Sequence, residues 1–302
     1  MDVDGGRITG AARSECRRRR GPASEDSLAA PTGRPSTLSS PDVHSLAPDG
    51  VKLAVEVSGE GDPVSVFGHG LTGSRADFRV ITEVLPGTKI LFDFRGHGES
   101  DLPPAGSYST EHFARDLDAV ARDHAATCAG GISLGVGAIL RLLSRDPHRF
   151  EKLVLIQPAR LDRSTEAHRR MFRLAGVLER LPLDRAVEEI LEAEAAEGAF
   201  DAWQGQRDIR RAMLMSMRPE SIPHAIRECI DDPPLLDGTS LASVTAPALV
   251  IAHEGDPIHD AAVARDLADA LPNAELAVFP SYRELLENVP ALVQRVAALL
   301  TT

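Results

Sequence analysis

Positive charge is the first thing this sequence lacks. It has 33 Lys and Arg against 45 Asp and Glu, a formal net charge of −12. Phosphate affinity needs a dense cationic face, so a general binder of nucleic acid or anionic membranes is excluded. It also lacks any apolar run approaching the roughly 18–20 residues that span a bilayer. Cysteine is sparse: Cys16, Cys128 and Cys229 are scattered and odd in number. That rules out a disulfide framework and suits a reducing interior, so a cytoplasmic protein is expected. The Gly-rich stretches hold no P-loop lysine, and no histidine–acid cluster has metal spacing. No nucleotide, metal or other cofactor is therefore expected. Aromatics are few as well, which excludes nothing. A last absence matters more: no histidine follows His259.

What is present begins with a tail. ECRRRRGPASEDSLAAPTGRPSTLSSPD (residues 15–42) mixes Arg, Ser, Pro and Gly without apolar periodicity, and no apolar h-region follows the arginines. Residues 1–42 are expected to be a disordered tail. From His44 onward, strand and helix patterns alternate. VKLAVEVSG (51–59) alternates as an edge strand does. PVSVFGHG (63–70), TKILFDFRGHGES (88–100), EKLVLIQPA (151–159), APALVIAHEGD (246–256) and AELAVFPS (274–281) are apolar strands. CAGGISLGVGAILRLLSRDP (128–147) starts as a poor strand, turns sharply and becomes a helix. Helical spacing marks SRADFRVITEVL (74–85), STEHFARDLDAVARDHA (109–125) behind an N-cap at Ser109, DAAVARDLADALP (260–272), and YRELLENVPALVQRVAALL (282–300) with Pro290 inside it.

This alternation predicts an α/β fold: a mostly parallel, doubly wound sheet with helices on both faces. Between residues 160 and 241 the alternation gives way to helical patterns. The expected organisation is a core of residues 43–159 and 242–302, with a helical cap, 160–241, over the carboxyl ends of the strands, where such sheets bind ligands. Met213, Met215, Met217, Phe172 and Trp203 read as ordinary core of that cap, and as the first place to look for substrate contacts.

Chemistry enters with Gly131-Ile132-Ser133-Leu134-Gly135, a G-x-S-x-G between an apolar lead-in and a helix. A serine at a strand-to-helix elbow sits in strained backbone, so the residues two before and two after it must be small. Its hydroxyl is exposed at the helix N-terminus, where the dipole favours a developing anion. The pentapeptide alone is common; its context decides.

Four stretches, in order and spacing, resemble the α/β-hydrolase superfamily, and the resemblance covers residue 44 to the end. GHGLTGS (68–74) is similar to the family's oxyanion loop, DFRGHGES (93–100) to the turn after its next strand, GISLG (131–135) to its nucleophile elbow, and IAHEGDPIHD (251–260) to the strand end that presents the acid. The resemblance implies Ser133 as nucleophile, the amides of Leu71 and Leu134 as oxyanion hole, and Asp256 as the acid that orients a base. It implies loop-holding hydrogen bonds for His69 and His97, with Arg95 and Glu99 read the same way. It further implies a serine-hydrolase-like reaction on an ester, thioester, lactone or similar acyl bond of a small-molecule substrate.

The resemblance also places a histidine on the loop after the last strand, where this chain has Tyr282. Tyrosine, with a pKa of about 10, donates a hydrogen bond when neutral but does not readily take a proton. Three readings stay open. A histidine from elsewhere serves as a displaced base: His259, three residues after Asp256, ahead of His253 at the strand end. Or chemistry proceeds on the oxyanion hole and binding alone, which leave about 10³–10⁴-fold acceleration. Or the pocket binds a small molecule or a partner, and the protein is a catalytically inactive relative.

Overall fold

This computed structural model describes residues 43–162, 166–198, 200, 204–230, 232–236 and 238–302. The tail expected at residues 1–42, and Trp203, lie outside the described residues. The strands are β1 (Val43–Leu46), β2 (Lys52–Ser58), β3 (Val64–Gly68), β4 (Thr88–Phe92), β5 (Cys128–Ile132), β6 (Lys152–Ile156), β7 (Ala248–His253) and β8 (Ala274–Phe279). They form one sheet in the order β1-β2-β4-β3-β5-β6-β7-β8. Pairing is antiparallel for β1–β2 and β2–β4 and parallel from β4 to β8. The mostly parallel wound sheet is therefore as expected. One detail differs: residues 51–59 do not form the edge. β1 covers them, a four-residue strand too short to show a period of two.

Helices lie on both faces. They are α1 (Arg79–Thr82), α2 (Thr110–Asp123), α3 (Leu134–Leu143), α4 (Glu166–Leu178), α5 (Leu183–Ala196), α6 (Gln204–Met215), α7 (Ile222–Ile230), α8 (Ala261–Ala270), α9 (Tyr282–Glu287) and α10 (Val289–Thr301). Strand alternation divides the core. Val66, Ile90 and Leu155 pack against the apolar faces of α2, α3 and α8. Their neighbours Phe67, Leu91 and Val154 pack with Leu292, Val296 and Leu300 of α10. Ser109 caps α2 as expected, closing a capping box with His112. The helix expected over 74–85 is instead a short 3₁₀ turn (Arg75–Phe78) and the single turn of α1. Pro290 lies not inside one closing helix but in the first turn of α10, where its missing N–H leaves no bond unmade. Between β6 and β7 stand α4 to α7, whose own apolar cluster includes Met171, Leu174, Ile190 and Leu214, with Leu71 and Ile258 packed against it.

Candidate active site

At the carboxyl end of β5 the chain reverses at Ser133, whose φ is 51°. A left-handed conformation at a β-branch-free but non-glycine residue is strained, and the surroundings hold it in place. The Ser133 amide donates to the Ile156 carbonyl (3.0 Å), and the next glycine amide, that of Gly135, donates to the His69 carbonyl (3.1 Å). The glycines have steric work here. A β-carbon on Gly135 would lie 1.9 Å from the Gly68 carbonyl oxygen, and one on Gly131 would lie 2.5 Å from the Gly135 carbonyl carbon. Helix α3 can thus start hard against β3 and β5.

The loop after β3 faces the elbow. A β-carbon on Gly70 would come 3.8 Å from the Ser133 β-carbon. His69 is buried and held neutral, its pKa lowered to about 3 chiefly by desolvation. Its Nδ1 donates to the Gly70 carbonyl (2.7 Å), and its Nε2 accepts from the Phe94 amide (3.0 Å). His97 is clamped between two carbonyls, with Nε2 2.7 Å from that of Leu71 and Nδ1 2.8 Å from that of Arg95. Arg95 is fully buried on Asp116 and also meets Asp49. Glu99 and Asp93 both bind Arg75. This framework orients the Leu71 peptide. Among the described residues neither the Leu71 nor the Leu134 amide donates to a protein acceptor. Leu71, Ser133 and Leu134 line one cavity of about 60 Å³, whose walls also include Arg160, Met171 and Pro234.

Asp256 lies two strands away, in the turn after β7. Its Oδ1 accepts from the amides of Ile258 (2.8 Å) and His259 (2.9 Å). Its Oδ2 lies 2.9 Å from His259 Nδ1, 3.1 Å from Gln157 Nε2 and 3.3 Å from His253 Nε2. Burial pushes this carboxyl up, but the adjacent His259 and the hydrogen bonds from His253 and His259 outweigh it and hold it far below the carboxylate range. His253 presents its other nitrogen to the Glu254 carbonyl (2.9 Å). Burial alone would lower its pKa; two acceptors and their charge raise it instead. Tyr282 starts α9 directly after β8, with its ring 5.3 Å from that of His253. Burial first, then Asp256, raises its phenol pKa. Asp256, His253, His259, Gln157 and Tyr282 line a second cavity, of about 140 Å³, beneath Arg210 and Met213 of α6.

The structure thus brings together Ser133, Leu71 and Leu134, and separately Asp256, His259 and Tyr282. Ile258 borders both cavities. Among the described residues no imidazole lies within hydrogen-bonding distance of the Ser133 hydroxyl. Gln157 is the residue the sequence reading missed. It follows β6, the strand between those of the nucleophile and the acid, and adopts φ 50°. Its only sequence signal is its place at the end of an apolar run. Among the described residues no helix is long and apolar enough to cross a membrane.

A family model described as alpha/beta hydrolase fold matches residues 63–288. A thermophilic esterase from Thermogutta terrifontis, solved with malate bound, superposes with TM-score 0.69 at 23% identity, covering 86% of this chain and 100% of its own. The enol-lactonase from Burkholderia xenovorans LB400 superposes with TM-score 0.69 at 19% identity, with coverages of 86% and 100%. In sequence, 72 residues are 39% identical to a Bacillus subtilis (strain 168) protein provisionally named 2-succinyl-6-hydroxy-2,4-cyclohexadiene-1-carboxylate synthase. That match covers 23% of this chain and spans about a quarter (26%) of the relative's length.

Proposed function

The chain belongs to the alpha/beta hydrolase fold family, and from that premise we propose that it cleaves or transfers an acyl group of a small molecule through Ser133. The observation that carries this is the strained elbow: it aims a hydroxyl, unpaired among the described residues, into a cavity beside two unpaired amides. In the proposed reaction Ser133 Oγ adds to the carbonyl carbon of an ester, thioester or lactone, and the carbonyl π pair moves to oxygen. The amides of Leu71 and Leu134 receive that oxyanion. The serine proton passes to His259 Nε2 through a bridging water at the edge of Ile258, which borders both cavities. Asp256, already bonded to Nδ1, steadies the resulting imidazolium. Collapse expels the alcohol or thiol, which takes the proton back. Water, or an acceptor alcohol, then releases the acyl group by the same steps. In this reading Tyr282 stands where relatives carry the base.

A second reading, a non-catalytic binding protein, has one observation in its favour: among the described residues the Ser133 hydroxyl has no imidazole partner, and Ile258 borders the cavity between it and His259. A fluorophosphonate probe followed by turnover of p-nitrophenyl acetate separates the two. Hydrolysis predicts stoichiometric labelling of Ser133, loss of turnover in Ser133→Ala, and a drop of about tenfold or more in His259→Ala. Turnover retained in both variants overturns the mechanism, and absence of labelling favours the binding protein.

A further inference from the structure

Ile258 follows Pro257 in the turn between β7 and α8, and its amide is fixed on Asp256 Oδ1. Its half-buried side chain packs against the apolar cluster of the cap helices. It borders the Ser133 cavity, the Asp256–His259 cavity, and a third of about 50 Å³ between α4 and α5 that is floored by Leu174 and Ile190. The nucleophile's cavity and that of the imidazoles share no other lining residue.

Resting on Ser133 as the nucleophile, we infer that Ile258 is the partition that sets acyl size, confining the nucleophile's chamber to short, unbranched acyl groups. The chamber is mostly apolar, with Leu134, Met171, Ile230 and Pro234 among its walls beside Thr110 and Arg160. Its volume of about 60 Å³ falls well short of the roughly 150 Å³ that accepts a benzene ring. Acetyl- and propionyl-sized groups fit; a benzoyl group does not. Beyond the partition lies about 140 Å³ whose lining joins Phe200, Ile209 and Met213 to the hydrogen-bonding groups of Gln157, His259 and Tyr282, a larger chamber with room for the alcohol, thiol or water partner. Ile258 cannot withdraw by moving its backbone, because its amide and that of His259 both hang on the Asp256 carboxylate. Shortening the side chain joins the two chambers, and the joined space exceeds the size of a phenyl ring.

The test compares kcat/KM of the full chain for p-nitrophenyl acetate and p-nitrophenyl benzoate. Ile258→Ala is expected to raise the benzoate-to-acetate ratio by about tenfold or more, equivalent to about 1.4 kcal/mol. Ile258→Phe is expected to lower it, and it carries the test if melting curves show that the alanine variant does not fold. A second arm removes catalysis: in the Ser133→Ala background, calorimetry with phenyl benzoate should show about tenfold tighter binding when Ile258→Ala is added. Should wild-type turnover be absent while that binding gain appears, the partition stands and the hydrolase reading falls. An unchanged ratio in folded, active variants, or no binding gain, overturns the partition.

Discussion

Replacing Asp256 by Asn is the sharpest perturbation available, because the two oxygens of this carboxylate do different work. Oδ1 holds two backbone amides, while Oδ2 faces three side-chain nitrogens, from His259, Gln157 and His253. Asparagine keeps an acceptor for the amides. It puts an NH₂ group where three donors converge, so each must rotate or change tautomer. A hydrogen bond to a charged group contributes about 1.5–3 kcal/mol. The site is partly open and His259 can re-pair with water, so a net loss of about 2–4 kcal/mol is expected. For a core of this size that lowers Tm by about 5–12 °C, read by circular dichroism at neutral pH. The pH dependence has a sign. The depressed Asp256 pKa contributes stability that is present above about pH 4 and is lost as pH falls toward the folded-state value. The raised His253 pKa contributes stability present below about pH 6.5 and lost as pH rises through its folded-state value. The deficit of the variant is therefore largest between those limits and shrinks in acid. Turnover of p-nitrophenyl acetate should fall on the order of 10²–10⁴-fold, since an imidazole in the wrong tautomer cannot accept the serine proton. A variant that melts within about 2 °C of the wild type and keeps its turnover refutes the idea that this carboxylate organises the site.

Three further outcomes test other parts of the structure. Tyr282→His puts an imidazole into the cavity that holds Asp256, and turnover should rise about tenfold or more; no change means that position 282 is not where a proton relay belongs. Gly135→Ala drives a β-carbon into the Gly68 carbonyl and should cost about 3 kcal/mol or more, whereas Gly176→Ala in α4, with nothing within 4 Å, should be neutral or gain about 0.5–1 kcal/mol; equal melting temperatures contradict the elbow packing. Burial raises the Asp77 pKa to about 6, so its ionisation costs stability as pH rises from about 4 through 6. Asp77→Asn removes that slope and should stabilise by up to about 3 kcal/mol at neutral pH, read from denaturant midpoints at two pH values.

The parts of this molecule legible in its sequence are those dictated by local rules. Apolar runs gave strands, Ser109 gave a cap, and Gly131 and Gly135 flanked a turn that tolerates nothing larger. β1 was hidden because Val43 and Leu46 alone cannot display a period, and its reason for existing, pairing with β2, is non-local. The helix expected at 74–85 breaks because Val80 and Val84 face solvent, leaving no continuous apolar stripe for a longer helix to bury. Gln157 and Ile258 acquire their places only when β6 and β7 lie side by side and the cap settles on them.

The choice between His253 and His259 shows the same limit more sharply. Spacing put both near Asp256, and the structure does bring both to its Oδ2. What separates them is the second nitrogen of each ring. That of His253 is committed to the Glu254 carbonyl, so both of its nitrogens face acceptors and the ring is inclined to hold its proton. Nε2 of His259 meets no protein group among the described residues, in a ring already fixed through Nδ1 on a carboxylate. A base must have one nitrogen anchored and one to spare, and of the two imidazoles on Asp256 only His259 meets that condition.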